Sequence, residues 1–301
     1  MKARIKVFLG GMSAFFLCGF AHATQNFYLN SFAEAKSDFT SFRTTNYDTW
    51  STTPLYQVFR DDFSDGNAPP SAPNFVSGAA GSYVVKGAFL PGAEQSGYAL
   101  LNPYTEGAAS DNAAGISYMT LYGLLPSNIA PGSTLGLRLS STFATEARYQ
   151  FAVPDNDVSY GIRLSDQNGT GNKDDFLDLR LRTLADGTTQ FAMIDQDFTA
   201  GTSTVVGTKA FVPPTGVAEI SFLMLHSIIG SNTVDGFYRY YDGAGVAMGD
   251  WTKVGSSDLF HGENFTQASF IASGLAAPEP ASVLLLFAGL GVLGMARLRR
   301  K

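Results

Sequence analysis

Polar and apolar residues alternate with a period of two along much of this chain. Leu177, Leu179 and Leu181 alternate with Asp178, Arg180 and Arg182. Tyr160, Ile162 and Leu164 repeat the pattern, as do Tyr149, Phe151 and Val153, and Leu135, Leu137 and Leu139. Such alternation puts one face of a strand in water and the other in a core. Asp186-Gly187 separates the clearest strand from residues 189–194, and Asp-Gly suits the positive φ angles of a tight hairpin turn. Residues 220–225 are apolar on both faces and read as a central strand. Residues 237–241 form another, ended by Asp242-Gly243. Pro69, Pro70 and Pro73 block pairing and mark a loop. One helix is expected in the body: Ser31 and Glu34 fit a capping box, which predicts a short helix from Phe32 to about Ser41, with Phe32, Ala35 and Phe39 inward. No repeat recurs at a fixed period, which excludes a solenoid or propeller. Many strands and almost no helical period predict an all-β, antiparallel sandwich or barrel.

The two ends follow a different pattern. Lys2, Arg4 and Lys6 precede an apolar run over residues 7–20, and Ala21-His22-Ala23 fits an A-x-A cleavage site. Residues 1–23 therefore read as a secretory signal, handled by the Sec translocon and signal peptidase. Cys18 lies in the run behind Phe16 and Leu17, where a lipidation site would need small residues. At the other end, Pro278-Glu279-Pro280 precedes an apolar run over residues 281–296, followed by Arg297, Arg299, Arg300 and Lys301. This reads as a C-terminal transmembrane helix whose basic tail stays in the cytoplasm. The expected domains are residues 1–23, an N-terminal helix and irregular segment at 24–57, a β-sandwich at 58–273, and a sorting segment at 274–301.

That last segment closely resembles the PEP-CTERM sorting signal of Gram-negative bacteria. The resemblance implies processing by an exosortase near Pro278-Pro280, transient inner-membrane anchoring, and then the cell surface or extracellular matrix, often beside exopolysaccharide. The body resembles concanavalin-A-like jelly-roll domains in texture. It opens with Asp61-Asp62-Phe63-Ser64-Asp65-Gly66 and continues with the 159–164 strand, the 177–194 hairpin and the strands at 220–225 and 237–241.

Composition sharpens this picture. Among 301 residues, 45% hydrophobic content excludes a disordered chain, and only 15% are charged, alongside 32 glycines. Of the 20 basic residues, three lie in the signal and four in the tail. Of the 26 acids, only Glu279 lies outside the body. The body thus holds 13 bases against 25 acids, a net of −12 where the whole chain has −6. A nucleic-acid partner is disfavoured, because phosphate contacts need clustered Lys and Arg. The single cysteine leaves with the signal, so the body contains no disulfide.

Chemistry is sparse. The body's six glutamates include no Glu-x-Asp-x-x-Glu string of the kind jelly-roll glycosidases carry on one strand. Asp195 and Asp197 have the right parity without a partner Glu, and read as solvated strand residues or weak calcium ligands. There is no G-x-S-x-G elbow, and neither His226 nor His261 sits in H-E-x-x-H. His226 reads as a hydrogen-bonded sheet residue. Calcium is the one metal with ligands on offer: Asp166, Asn168, Thr170, Asp174 and Asp175 cluster oxygens in a Gly-rich loop. The loop is no EF-hand, since Leu177 stands where the bidentate acid belongs. Asp155-Asn156-Asp157 is a second acidic spot that would approach it across the 159–164 strand. For sugar stacking the strands offer Tyr118, Tyr122, Tyr238, Tyr240 and Trp251. The expectation is an exported, exosortase-sorted surface or matrix protein, a non-catalytic module associated with exopolysaccharide. An extracellular glycan hydrolase and a purely structural adhesive component are the alternatives.

Overall fold

The computed structural model describes residues 25–37, 57–63, 82–86, 94–95, 97–101, 116–122, 142–165, 176–197, 200–228, 231–257 and 267–274, and every regular element among them is a strand. In chain order they are β1 (Phe27–Ser37), β2 (Gln57–Asp61), β3 (Ser82–Lys86), β4 (Glu94–Gln95) and β5 (Tyr98–Leu101). There follow β6 (Ile116–Tyr122), β7 (Thr142–Gln150), β8 (Ser159–Ser165), β9 (Phe176–Thr183) and β10 (Thr189–Asp197). The last are β11 (Thr202–Ala210), β12 (Val217–His226), β13 (Val234–Asp242), β14 (Thr252–Ser257) and β15 (Gln267–Ser273). All belong to one compact unit, Gln25–Ala276.

Two antiparallel sheets face each other. Sheet 1 runs β14-β13-β12-β7-β1-β5-β4, with β2 pairing the second half of β1. Sheet 2 runs β11-β10-β9-β8-β15-β6-β3. The chain builds β8 to β11 as a meander in sheet 2 and β12 to β14 as a meander in sheet 1. It then returns, and β15 enters sheet 2 between β8 and β6. Alternation fills the space between: Phe27, Leu29, Phe143, Tyr149, Phe222 and Met224 of sheet 1 meet Tyr160, Ile162, Leu179, Phe191, Met193 and Phe270 of sheet 2. Phe27 stacks on Tyr160 at 4.4 Å between centroids, and Phe191 on Tyr238 at 3.7 Å. The Tyr149 hydroxyl crosses from sheet 1 and donates to the Gly161 carbonyl at 2.6 Å, which satisfies a buried polar tip. On one long side the sheets touch directly. A Cβ on Gly207 of β11 would lie 2.6 Å from the Gly255 Cα of β14, so glycine is required on steric grounds.

The structure corrects the expected fold class in its helical parts. The stretch expected to open a helix lies in β1, paired with β5, β2 and β7. A bulge between Leu29 and Ser31 turns both Leu29 and Phe32 into the core although they lie three apart. Pairing of β1 on both edges overrides the Ser31–Glu34 capping signal that predicted the helix. Residues 38–41 lie outside the described residues. No helix occurs among the described residues, so none there is long and apolar enough to cross a membrane. Residues 281–296, expected to form the transmembrane helix, lie outside them. The expected inner-membrane anchoring has no described helix beneath it, and it is dropped. The strand at 149–153 also shifts: β7 ends at Gln150, and Val153 is exposed. The strand at 135–139, the Pro69–Pro73 loop and the signal lie outside the described residues.

The Asp186-Gly187 hairpin forms with a different turn. Leu184 and Thr188 pair, Gly187 N–H donates to the Leu184 carbonyl, and Gly187 alone of the two takes positive φ, 82°. This is the three-residue loop with a glycine bulge, not a two-residue turn.

Candidate functional site

The aromatic strand Phe237–Tyr241 sets the geometry of the outer faces. Tyr238 and Tyr240 point inward and are 8% and 7% exposed; Phe237, Arg239 and Tyr241 point outward. Two of the tyrosines expected to stack on sugar are therefore core. Trp251 sits near the outer face, with the Arg239 guanidinium 4.3 Å from its ring. The side chains of Tyr118 and Tyr122 lie outside the described residues.

The outer face of sheet 1 carries a mixed polar and aromatic layer instead. Arg148 of β7 lies flat over the Tyr241 ring of β13 at 3.8 Å. Its Nε donates to the Ser221 hydroxyl of β12 at 3.2 Å. Its Nη1 faces Glu219 Oε2 at 3.6 Å, and its Nη2 faces Glu146 Oε1 at 3.9 Å. Those two separations are ion pairs beyond hydrogen-bond length. The β1 bulge throws Asn30 outward, and its Nδ2 reaches across β7 to donate to Glu219 Oε1 at 2.6 Å. Two residues along, Tyr28 meets Tyr98 of β5 edge to face at 5.1 Å, and both are half-buried. On β7, β12, β13 and β14, outward Arg148, Arg239 and Lys253 stand with outward Glu146, Glu219 and Asp235, so the face is close to neutral on an acidic body.

The outer face of sheet 2 holds a second charged group. Asp178 is fully buried and accepts from Arg163 at both oxygens, at 2.7 and 3.0 Å, and from Arg180. Arg163 lies over the Phe176 ring at 3.5 Å, and Arg180 donates to Ser273 at 3.1 Å. Burial is the largest influence on the Asp178 carboxyl and pushes it up; the two guanidiniums overcome it and hold it below the usual carboxylate range.

The other expected residues are placed as follows. Asp195 is not solvated: it is 6% exposed, faces inward opposite Leu177, and accepts from the Ser257 hydroxyl of β14 at 2.5 Å. Asp197 accepts from the Ala200 N–H in a turn. His226 is buried in β12 with Nδ1 2.9 Å from the Thr233 carbonyl, a sheet residue as expected. The calcium loop of Asp166, Asn168, Thr170, Asp174 and Asp175 lies outside the described residues, but its flanks do not. Ser165 pairs with Phe176 at one end of the β8–β9 ladder, whereas Asn156 bridges Thr183 at the other. Asp155-Asn156-Asp157 and the Ser165–Phe176 flanks of the loop therefore stand at opposite ends of a seven-residue strand roughly 20 Å long. Among the described residues no group of three or more His, Cys, Asp or Glu side chains gathers to hold a metal. Sequence reasoning missed Arg148, Glu219, Asn30 and Tyr241. One signal for Tyr241 was available: Arg239 fixes the wet parity of its strand.

Fold and face together define an all-β, two-sheet protein with a polar and aromatic outer layer. Its C-terminal end is more specific: residues 276–301 match the PEP-CTERM protein-sorting motif, the mark of an exosortase-processed secreted or surface protein. No curated protein matches the chain. Among solved structures, the crystal structure of a GH43_12 retrieved from capybara gut metagenome is similar at 11% identity, over 61% of this chain and 37% of that chain, with a TM-score of 0.29. A likeness of that size carries no argument about activity.

Proposed function

We propose that the body is a non-catalytic binding module that associates with exopolysaccharide after export. The observation that carries this reading is the outer face of sheet 1, where polar groups stand beside half-buried rings: Arg148, held flat on the buried Tyr241, with Glu219 and Asn30 beside it and Tyr28 and Tyr98 at its border. Sugars need such groups, with polar side chains for hydroxyls and ring faces for C–H surfaces. The two-sheet architecture supports the body's resemblance to concanavalin-A-like domains. Sec export, signal-peptidase cleavage after Ala23 and exosortase processing near Pro278, Glu279 and Pro280 complete the reading. The test is retention of the secreted protein on polysaccharide, combined with an assay for new reducing ends. Retention without product supports a binding module, and product release rejects it.

One observation favours a second reading, an extracellular glycan hydrolase. Glu146 and Glu219 lie on the same outer face on either side of Arg148. Retaining chemistry needs one carboxyl kept as an acid, whereas these two share a guanidinium as an ion-pair network does. Product release that disappears in Glu219→Gln would establish that reading.

A further inference from the structure

We propose that the Arg148–Glu219 pair is a hydroxyl-reading site and that the polymer it takes is a neutral polysaccharide. This rests on the binding-module reading and deepens it by naming the class of glycan. The geometry is specific. Arg148 Nη1 and Glu219 Oε2 stand 3.6 Å apart, too far to bond each other and close enough for one hydroxyl oxygen to bridge them. That hydroxyl would accept from Arg148 and donate to Glu219, each at an ordinary length of about 2.8 Å. Both groups are held in place beforehand. Tyr241 fixes the plane of the guanidinium and Ser221 its Nε, while Asn30 occupies the other oxygen of Glu219. Both side chains remain about one-fifth exposed, 21% and 23%, so a ligand can reach them.

The sign of the surroundings selects the ligand. A carboxylate or sulfate approaching Arg148 would meet Glu146 and Glu219, each within 4 Å of the same guanidinium. A hydroxyl meets no such repulsion and uses both charges, because it is donor and acceptor at once. The body's net charge of −12 opposes polyanions at longer range as well. Tyr28 and Tyr98 border the polar group on the Asn30 side and offer apolar surface to the next sugar ring.

The experiment is affinity electrophoresis of the secreted protein through gels containing dextran or galactomannan, and through gels containing alginate or hyaluronate. Chelator is present so that no divalent cation bridges acid to acid. The expected result is retardation by a neutral polymer and none by the polyanions. Glu219→Gln and Arg148→Lys should each weaken retention about tenfold. Lys209→Gln on β11 should leave it unchanged, and unaltered melting would show that the variants fold. Retention by the polyanions instead, or neutral retention indifferent to both variants, overturns this inference and leaves a binding module standing. Retention by neither class overturns the binding-module reading itself.

Discussion

The two sheets carry the same chemistry outward, arginine against carboxylate, and use it in opposite ways. On sheet 2, Asp178 is fully buried and saturated, with Arg163 in bidentate contact and Arg180 on its second oxygen. On sheet 1, Arg148 faces Glu219 and Glu146 at 3.6 and 3.9 Å, beyond hydrogen-bond length and partly in solvent. A closed, desolvated pair resists loss of a partner, because an orphaned charge remains in low dielectric. An open pair costs little to disturb, and its charged groups face outward. The difference separates a structural use of charge from a recognition use within one fold.

The contrast can be broken most strongly at Asp178. Asp178→Asn leaves two guanidiniums facing a neutral group, and we expect a loss of about 3–5 kcal/mol, seen as a melting midpoint lowered by roughly 10 °C. The same carboxyl sets an acid limit. Its folded pKa lies below its unfolded value, so its stabilisation is present in full above the unfolded value of about 3.9 and fades as pH falls through the lower folded one. Urea midpoints for the native chain should drop over that interval, and in Asp178→Asn this component of the drop should vanish. Next in size is the seam between the sheets. Gly207→Ala drives a Cβ to 2.4 Å from the Val254 carbonyl oxygen, backbone that cannot swing aside, and should cost about 1–3 kcal/mol by denaturant titration. On the open side, Glu219→Gln should shift stability by less than about 1 kcal/mol while affecting retention on polysaccharide. A Glu219→Gln loss as large as that at Asp178 would erase the comparison. The smallest effect is expected from calcium: with Asp155-Asn156-Asp157 at one end of β8 and the Ser165–Phe176 flanks of the loop at the other, melting in calcium and in chelator should coincide. A chelator-sensitive midpoint would return the 166–175 loop to consideration.

The strands themselves were readable. Period-two alternation marked β8 and β9, because a half-buried sheet imposes that period directly; the Asp186-Gly187 turn placed β10, and the apolar and aromatic runs at 220–225 and 237–241 marked β12 and β13. What failed were places where a local pattern met a tertiary exception. The Ser31–Glu34 capping pattern signalled a helix where β1 is paired on both edges. Asp195 looked wet because acids usually are, yet it shares the inward parity of Phe191 and Met193 and finds Ser257 across the seam. The candidate site was illegible for a simpler reason. Asn30 and Glu219 stand 189 residues apart and meet only because β7 separates β1 from β12 by one strand width. Spacing along the chain contains no trace of such a meeting.

The placement of β15 has a mechanical consequence. This last strand, Gln267–Ser273, is not at an edge of sheet 2 but is held between β8 and β6 by ladders on both sides. The sorting motif begins at residue 276, a few residues beyond its end. A pull from the C-terminal side therefore enters the body through an interior strand, and extraction must rupture two ladders together. A fold that met its load at an edge would peel open one hydrogen bond at a time; this one shares the force across the middle of a sheet.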